Sequence, residues 1–271
     1  MSEIDSGRVE LLPAQRYAMI IDHLRKRQAA SIRELTLALG ASESTVRRDL
    51  AYLVDQGYLN RTHGGAIIRH QPAARFEPEQ SIAAQMARAE KQVIGALAAQ
   101  RVGSGQSIIL DASSTVAAAA DYILQRRLEL TVVTNDLACA TRMVQARQGA
   151  VILTGGTVRP GTTTLIGEPA HGFLSGIHAD IAFVGVHTIS GGAFTETSLQ
   201  VAGMKQLMIR AAKRVIVLAD SSKFGPPSFC EICGVADVAE VITDAGAREA
   251  QIEAVRAAGA ICTIAGAGPD I

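Results

Sequence analysis

Six short runs of apolar, largely β-branched residues recur along the C-terminal two-thirds of this 271-residue chain: Ser107 to Leu110, Thr131 to Thr134, Ala150 to Leu153, Ile181 to Val186, Val215 to Ala219 and Val241 to Thr243. Helical patterns fill most of the gaps between them. Continuously apolar strands bury both faces, and strands separated by helices return in the same direction. The alternation therefore predicts an α/β domain with a mostly parallel sheet covered on both sides. Ligands of such sheets bind beyond the carboxyl ends of the strands, so the loops there carry the chemistry.

Several of those loops are rich in small polar residues. Asp111-Ala112-Ser113-Ser114-Thr115 follows the first strand and leads into an alanine-rich helix, Val116 to Leu124. Hydroxyls and amides at a helix N-terminus, with the positive end of its dipole, form an anion site, although Ser113 or Ser114 taken singly reads as an ordinary N-cap. The second strand ends in Thr134-Asn135-Asp136, the third in Thr154-Gly155-Gly156-Thr157-Val158-Arg159, and the fifth in Asp220-Ser221-Ser222-Lys223. Four strand ends supplying hydroxyls, amides and cations predict a pocket for a polyhydroxylated anion.

The N-terminal segment follows a different pattern. From Pro13 to Arg27, Tyr17, Ile20, Ile21 and Leu24 recur at helical spacing. Ser31-Ile32-Arg33-Glu34 spells a capping box that opens a second helix with Ile32, Leu35 and Leu39 inside, and Gly40 ends it. A third helix, Ser42 to Gln56, turns Val46, Leu50 and Leu53 inward and leaves Ser44, Thr45, Arg47 and Arg48 outside. Tyr58 to Ile67 reads as two short strands around a glycine turn, a wing carrying Arg61 and His63. A pair of arginines on a helix usually only solvates its surface. Here they follow a short helix and a glycine turn and precede a basic wing, the order a winged helix-turn-helix requires for reading DNA. Charge agrees. The chain is neutral overall, yet residues 13–70 hold nine basic against five acidic side chains, which suits a module that touches a few phosphates and reads base edges.

Ser42-Glu43-Ser44-Thr45-Val46-Arg47-Arg48-Asp49-Leu50, followed by Gly57-Tyr58-Leu59 and Arg61-Thr62-His63-Gly64-Gly65-Ala66, resembles the signature of the DeoR family of bacterial repressors, and the likeness extends over nearly the whole chain. The candidate DNA contacts are Ser31, Ser42, Ser44, Thr45, Arg47, Arg48, Arg61, His63 and Gly64. The resemblance implies that the second domain is related in fold to ribose-5-phosphate isomerase and takes a phosphorylated sugar or polyol as effector. On that likeness Asp111, Ser113, Ser114 and Thr115 match the phosphate loop. Asn135 and Asp136, Gly155 and Gly156, Lys205, and Asp220 with Lys223 match the other pocket segments, with Lys205 and Lys223 as countercharges. The chain departs from the family at Ala112-Ser113, where serine and glycine are usual, and at Val186-His187-Thr188, where Asp-Gly is common. His187 reads either as a ligand contact or as a core histidine. Thr36 and Ala41 stand where alanine and valine are usual.

The expected organisation is a winged helix-turn-helix over 13–68, a linker over 69–80 containing Pro72 and Pro78 with a boundary near residue 75, and an α/β effector-sensing and oligomerisation domain over 81–271. The expected partners are double-stranded operator DNA, a phosphorylated carbohydrate and further copies of the chain in a dimer or tetramer. No cofactor, metal or catalytic residue is expected. The start of the chain lacks a signal-peptide pattern and no run is apolar enough to span a membrane, so the expected location is the cytoplasm. Two rival readings remain. One is a sugar-phosphate isomerase, which needs a positioned carboxylate base. The other is a redox or metal sensor at Cys230-Glu231-Ile232-Cys233, although one such pair falls short of the four ligands of a structural zinc. With Cys139 and Cys262 scattered elsewhere, reduced thiols are expected.

Overall fold

The computed structural model describes residues 11–69, 76–145 and 149–266. Among them, contacts gather residues 11–69 and 81–87 into one unit, and residues 76–80 and 88–266 into another. The expected boundary near residue 75 falls outside the described residues. Residues 76–80, expected in the linker, make their contacts in the second unit, and residues 81–87 make theirs in the first.

The first unit runs α1 (Pro13–Arg27), β1 (Ala29–Ser31), α2 (Ile32–Leu39), α3 (Glu43–Asp55), β2 (Leu59–Arg61) and β3 (Gly65–Ile68). Its core is the set of helical positions spaced at three and four, with Ile20, Ile21, Leu24, Leu35, Val46, Leu50 and Leu53 all buried. The capping box is present: Glu34 N–H donates to the Ser31 hydroxyl at 3.2 Å, and the Glu34 carboxylate accepts from Ser31 N–H at 2.7 Å. Gly40 ends α2 in the left-handed region with φ 61°. The wing is a three-stranded antiparallel sheet in the order β1-β3-β2. Its third strand, β1, is only three residues long, too short to show a period in the sequence. Gly65 makes that strand possible, since a Cβ there would lie 2.0 Å from the Ala30 carbonyl oxygen.

The second unit begins in α4 (Gln80–Ala83), which crosses the division, and continues through α5 (Arg88–Ala99), β4 (Ser107–Leu110), α6 (Ser114–Gln125), β5 (Leu130–Thr134), α7 (Leu137–Val144), β6 (Gly149–Leu153), β7 (Thr157–Val158), β8 (Leu165–Ile166) and α8 (Ala170–Ser175). Then come β9 (Ala179–Gly185), β10 (Thr188–Ser190), β11 (Ala193–Glu196), α9 (Leu199–Arg210), β12 (Ala212–Leu218), β13 (Cys230–Gly234), β14 (Glu240–Asp244), α10 (Glu249–Ala257) and β15 (Ile261–Ala265). Seven strands form one parallel sheet in the order β15-β14-β12-β9-β4-β5-β6. Alternation along β9 shows how it is covered: Ala182 and Val184 join Phe194, Met204 and Met208 in one core, while Ile181 and Phe183 join Ile94, Val116 and Ile108 in the other.

The six expected strands are all in this sheet, most of them a residue or two longer than expected. The seventh, β15, escaped notice because it is an edge strand whose Ile261 is exposed and whose pattern is broken by Cys262 and Thr263. Also unforeseen were the short hairpin β7–β8 and the antiparallel sheet β10-β11-β13.

Candidate functional site

On α3 the Ser42 hydroxyl caps the helix by accepting from Thr45 N–H at 3.2 Å, and it lies 2.9 Å and 2.8 Å from the hydroxyls of Ser44 and Thr45. Ser44 and, a turn further on, Arg47 and Arg48 are exposed along the same helix, and Arg61 and His63 are exposed on the wing. Arg47 pairs with Glu43 one turn back, both side chains more than half exposed, and Arg48 Nε donates to the Ser44 carbonyl at 3.4 Å. Such solvated pairs are weak and exchange readily for a phosphate or a guanine edge. Two predicted contacts have local duties instead. Ser31 is engaged in its capping box, and the exposed Gly64 accepts from Ile32 N–H through its carbonyl at 2.9 Å.

Asp49, in the middle of the signature, was not singled out as a functional residue. It is buried, and its carboxylate takes Arg16 Nε at 2.7 Å and Nη2 at 3.1 Å. This fork ties α3 to α1, as does the stack of the Tyr17 and Tyr52 rings at 4.6 Å.

In the second unit the loops beyond the sheet's carboxyl ends converge in part. Asp111 is buried at the end of β4, accepts from Gly185 N–H at 3.0 Å and pairs with Lys205 at 2.5 Å. Lys205 also donates to the Gly185 carbonyl at 2.8 Å and lies 3.8 Å from Glu196. Burial works against its charge, but Asp111 and Glu196 together hold its pKa above the ordinary lysine value. The countercharge expected of Lys205 is therefore engaged inside the protein. Ser113 caps α6 by accepting from Thr115 N–H at 3.3 Å, with Ser114 half-buried beside it and Thr115 buried. Gly185 makes room for the Ser113 side chain, since a Cβ there would lie 2.1 Å from the Ser113 oxygen.

Asn135 accepts from Ala112 N–H at 2.9 Å and donates to the Leu165 carbonyl at 3.2 Å, pinning the loop after β4 to β8. Asp136 caps α7 through Ala138 N–H at 3.0 Å and accepts from the Thr163 hydroxyl at 2.5 Å. Gly155 and Gly156 adopt positive φ where the chain turns against Pro169 and Ile166. Asp220 spends its carboxylate on Ser222, at the start of the 3₁₀ turn Ser221–Lys223, and among the described residues no hydrogen bond joins it to the Asp111 group. Asp111 thus bonds Lys205 and, through its carbonyl, Ser113 N–H, Asn135 holds the same loop at Ala112, Asp136 follows Asn135, and Asp220 with Lys223 stands at the end of β12, two strands from β4.

Sequence reasoning missed Glu196 and a clasp linked to it through Thr197. The Glu77 carboxylate takes both guanidinium nitrogens of Arg159, and the Thr197 hydroxyl stands 3.3 Å from Glu77 and 3.2 Å from Glu196. Arg159 lay in a strand-end loop already noticed, and its cation was the available signal. Glu77, in the expected linker, offered none. His187 is half-buried, and its proximity to Glu77 helps to lower that carboxyl.

The cysteines behave as packed thiols. Burial pushes Cys139 and Cys233 up to about 12, and the Cys230 sulfur lies 3.2 Å from the Glu196 carbonyl. Among the described residues no group of three or more His, Cys, Asp or Glu side chains is placed to hold a metal, and no helix is long and apolar enough to cross a membrane.

Residues 16–72 match the DeoR-like helix-turn-helix domain and residues 86–245 the DeoR C terminal sensor domain. The chain is 34% identical to the transcriptional regulator FruR of Bacillus subtilis over 87% of this chain and 92% of that one. It is 33% identical to the transcriptional repressor GlcR of the same organism over 85% and 88%, and 29% identical to a putative aga operon transcriptional repressor of Escherichia coli O157:H7 over 91% of each. A solved ribose 5-phosphate isomerase from Methanocaldococcus jannaschii overlaps 50% of this chain and 53% of that one at 17% identity and a TM-score of 0.37. Sequence match to both halves, with the sensor domain alone covering more than half of the chain, settles the assignment: the chain belongs to the DeoR family of DNA-binding transcriptional regulators.

Proposed function

We propose that this regulator is a cytoplasmic homo-oligomer, a dimer or tetramer, that represses a carbohydrate-utilisation operon and releases its operator when a phosphorylated sugar or polyol fills the strand-end pocket. The observation that carries the reading is the exposed row Ser44, Arg47 and Arg48 on a helix capped by Ser42 and anchored by Asp49. A row of that kind is what a major-groove reader requires. The relatives named as repressors, that of the aga operon and GlcR among them, support repression of an operon. The bonded group around Asp111 and the N-terminus of α6 supports an anionic, hydroxyl-rich effector. The effector favours release only in so far as it binds the non-DNA-binding arrangement better than the other.

The test uses duplexes selected by the wild-type protein from a random pool. Arg47→Ala is expected to weaken specific binding by about ten- to a hundredfold, the worth of one good base contact, with little change on unselected DNA. Unchanged affinity for the selected site would remove the recognition-helix assignment. In parallel, a thermal-shift panel of hexose, pentose and polyol phosphates is expected to contain a compound that both raises the melting temperature and releases DNA. A panel of neutral sugars that did so in place of the phosphates would overturn the effector class.

A further inference from the structure

Residues 76–80 lead directly into residues 81–87, which pack with the DNA-reading unit, yet they are fastened to the mouth of the sensor pocket. Glu77 forks onto Arg159 at 2.7 Å and 2.6 Å. Gln80 donates to the Thr163 hydroxyl at 2.9 Å and accepts from Thr163 N–H at 3.0 Å, and the same hydroxyl bonds Asp136. Burial works against the Glu77 charge, but Arg159, with help from Thr197 and His187, keeps its carboxyl below the usual range.

Arg159 and Lys205 are each already paired with a carboxylate. Asp111, Glu196 and Glu77 bring three carboxylates against the two cations Lys205 and Arg159. Lys205 and Asp111 are both buried, whereas the Arg159 side chain is a quarter exposed and Glu77 about a third. A guanidinium fork is the group best matched to phosphate, and here both of its arms hold a carboxylate. Close like charges are mutually costly, so a phosphate can take Arg159 only if Glu77 leaves.

We propose that Glu77 is a built-in competitor for the effector phosphate. Arg159 is then a phosphate-binding residue, and its capture by the effector unfastens residues 76–80, the segment joined to the DNA-reading unit. This rests on the reading of the pocket as a phosphorylated-carbohydrate site. It adds a residue to the site and a physical route by which occupancy alters the connection to the DNA-binding unit.

Inorganic phosphate is the probe, titrated calorimetrically into the full-length protein, Glu77→Gln, Glu77→Ala and Arg159→Gln, each checked for an unaltered circular dichroism spectrum. A partly exposed ion pair that favours the fastened state leaves only a fraction of molecules open. Both Glu77 variants are therefore expected to bind phosphate about fivefold more tightly than wild type, and Arg159→Gln at least about tenfold more weakly. In the wild-type protein, phosphate is expected to speed amide hydrogen exchange across residues 76–80. Wild-type phosphate binding with unchanged affinity in the Glu77 variants, or in Arg159→Gln, overturns the competition while leaving the pocket reading intact. Absence of phosphate binding in all four proteins overturns both.

Discussion

The Arg16–Asp49 fork offers a quantitative test of how the reading helix is held. Asp49 is 3% exposed and the Arg16 side chain 14% exposed. Removing one partner of a buried pair strands the other charge, at a cost of about 3–5 kcal/mol. Arg16 keeps a second bond to the Leu11 carbonyl at 2.7 Å and some contact with water. Asp49→Leu therefore falls at the lower end, about 3 kcal/mol, whereas Arg16→Met strands a carboxylate only 3% exposed and should cost nearer about 4 kcal/mol. The double variant replaces the pair with apolar side chains and should cost little more than one single change, a coupling of about 2–3 kcal/mol. Urea unfolding followed by tyrosine fluorescence measures this in the full-length protein. Tyr17, Tyr52 and Tyr58, three of the four tyrosines, report on the first unit, and the protein contains no tryptophan to mask them. Additive single changes, with coupling below about 0.5 kcal/mol, would refute the claim that this pair holds α3 to α1.

Two further tests address the wing and the sheet. Gly65→Ala places a methyl group 2.0 Å from the Ala30 carbonyl oxygen, so β1 must separate from β3. A loss of about 3 kcal/mol in the same unfolding assay is expected, with weakened operator binding, and a wild-type unfolding curve would contradict it. Glu240 is buried among Arg101, Arg214 and Thr263. Burial alone would raise its pKa, but the bonds and charges of these partners hold it below the reference value of 4.5. Because the folded value is the lower one, its contribution is complete above about pH 4.5 and fades as pH falls through the folded value. Glu240→Gln should therefore cost about 2 kcal/mol at pH 7 and progressively less in acid, as read from urea midpoints along a pH series; a penalty constant with pH would count against it.

Much of the architecture was legible because its signals are local. A capping box spans four residues, a helix period repeats within two turns, and a β-branched run between helical patterns marks a buried parallel strand wherever it lies in the chain. Ser31, Ser42 and Gly40 could thus be placed from their immediate neighbours, as could the inward and outward faces of α3. β1 and β15 were missed for the same reason: the first is too short to show a period, and the second is an edge strand with a broken pattern.

The chemistry was legible only as residue types at strand ends. What each residue does depended on partners brought in from far along the chain. Asp49 meets Arg16 across 33 positions, Arg159 meets Glu77 across 82, and Lys205 meets Asp111 across 94. No local pattern encodes such separations: Asp49 meets Arg16 because α3 packs on α1, and Lys205 meets Asp111 because α9 packs on β9, the neighbour of β4 in the parallel sheet. By itself the sequence determined a helix-turn-helix with an outward arginine pair and a parallel sheet with polar strand ends. Only the tertiary structure decided that Lys205 is spent on Asp111, that Asp49 anchors the reading helix, and that the part-exposed Arg159 already holds a carboxylate from the connecting segment.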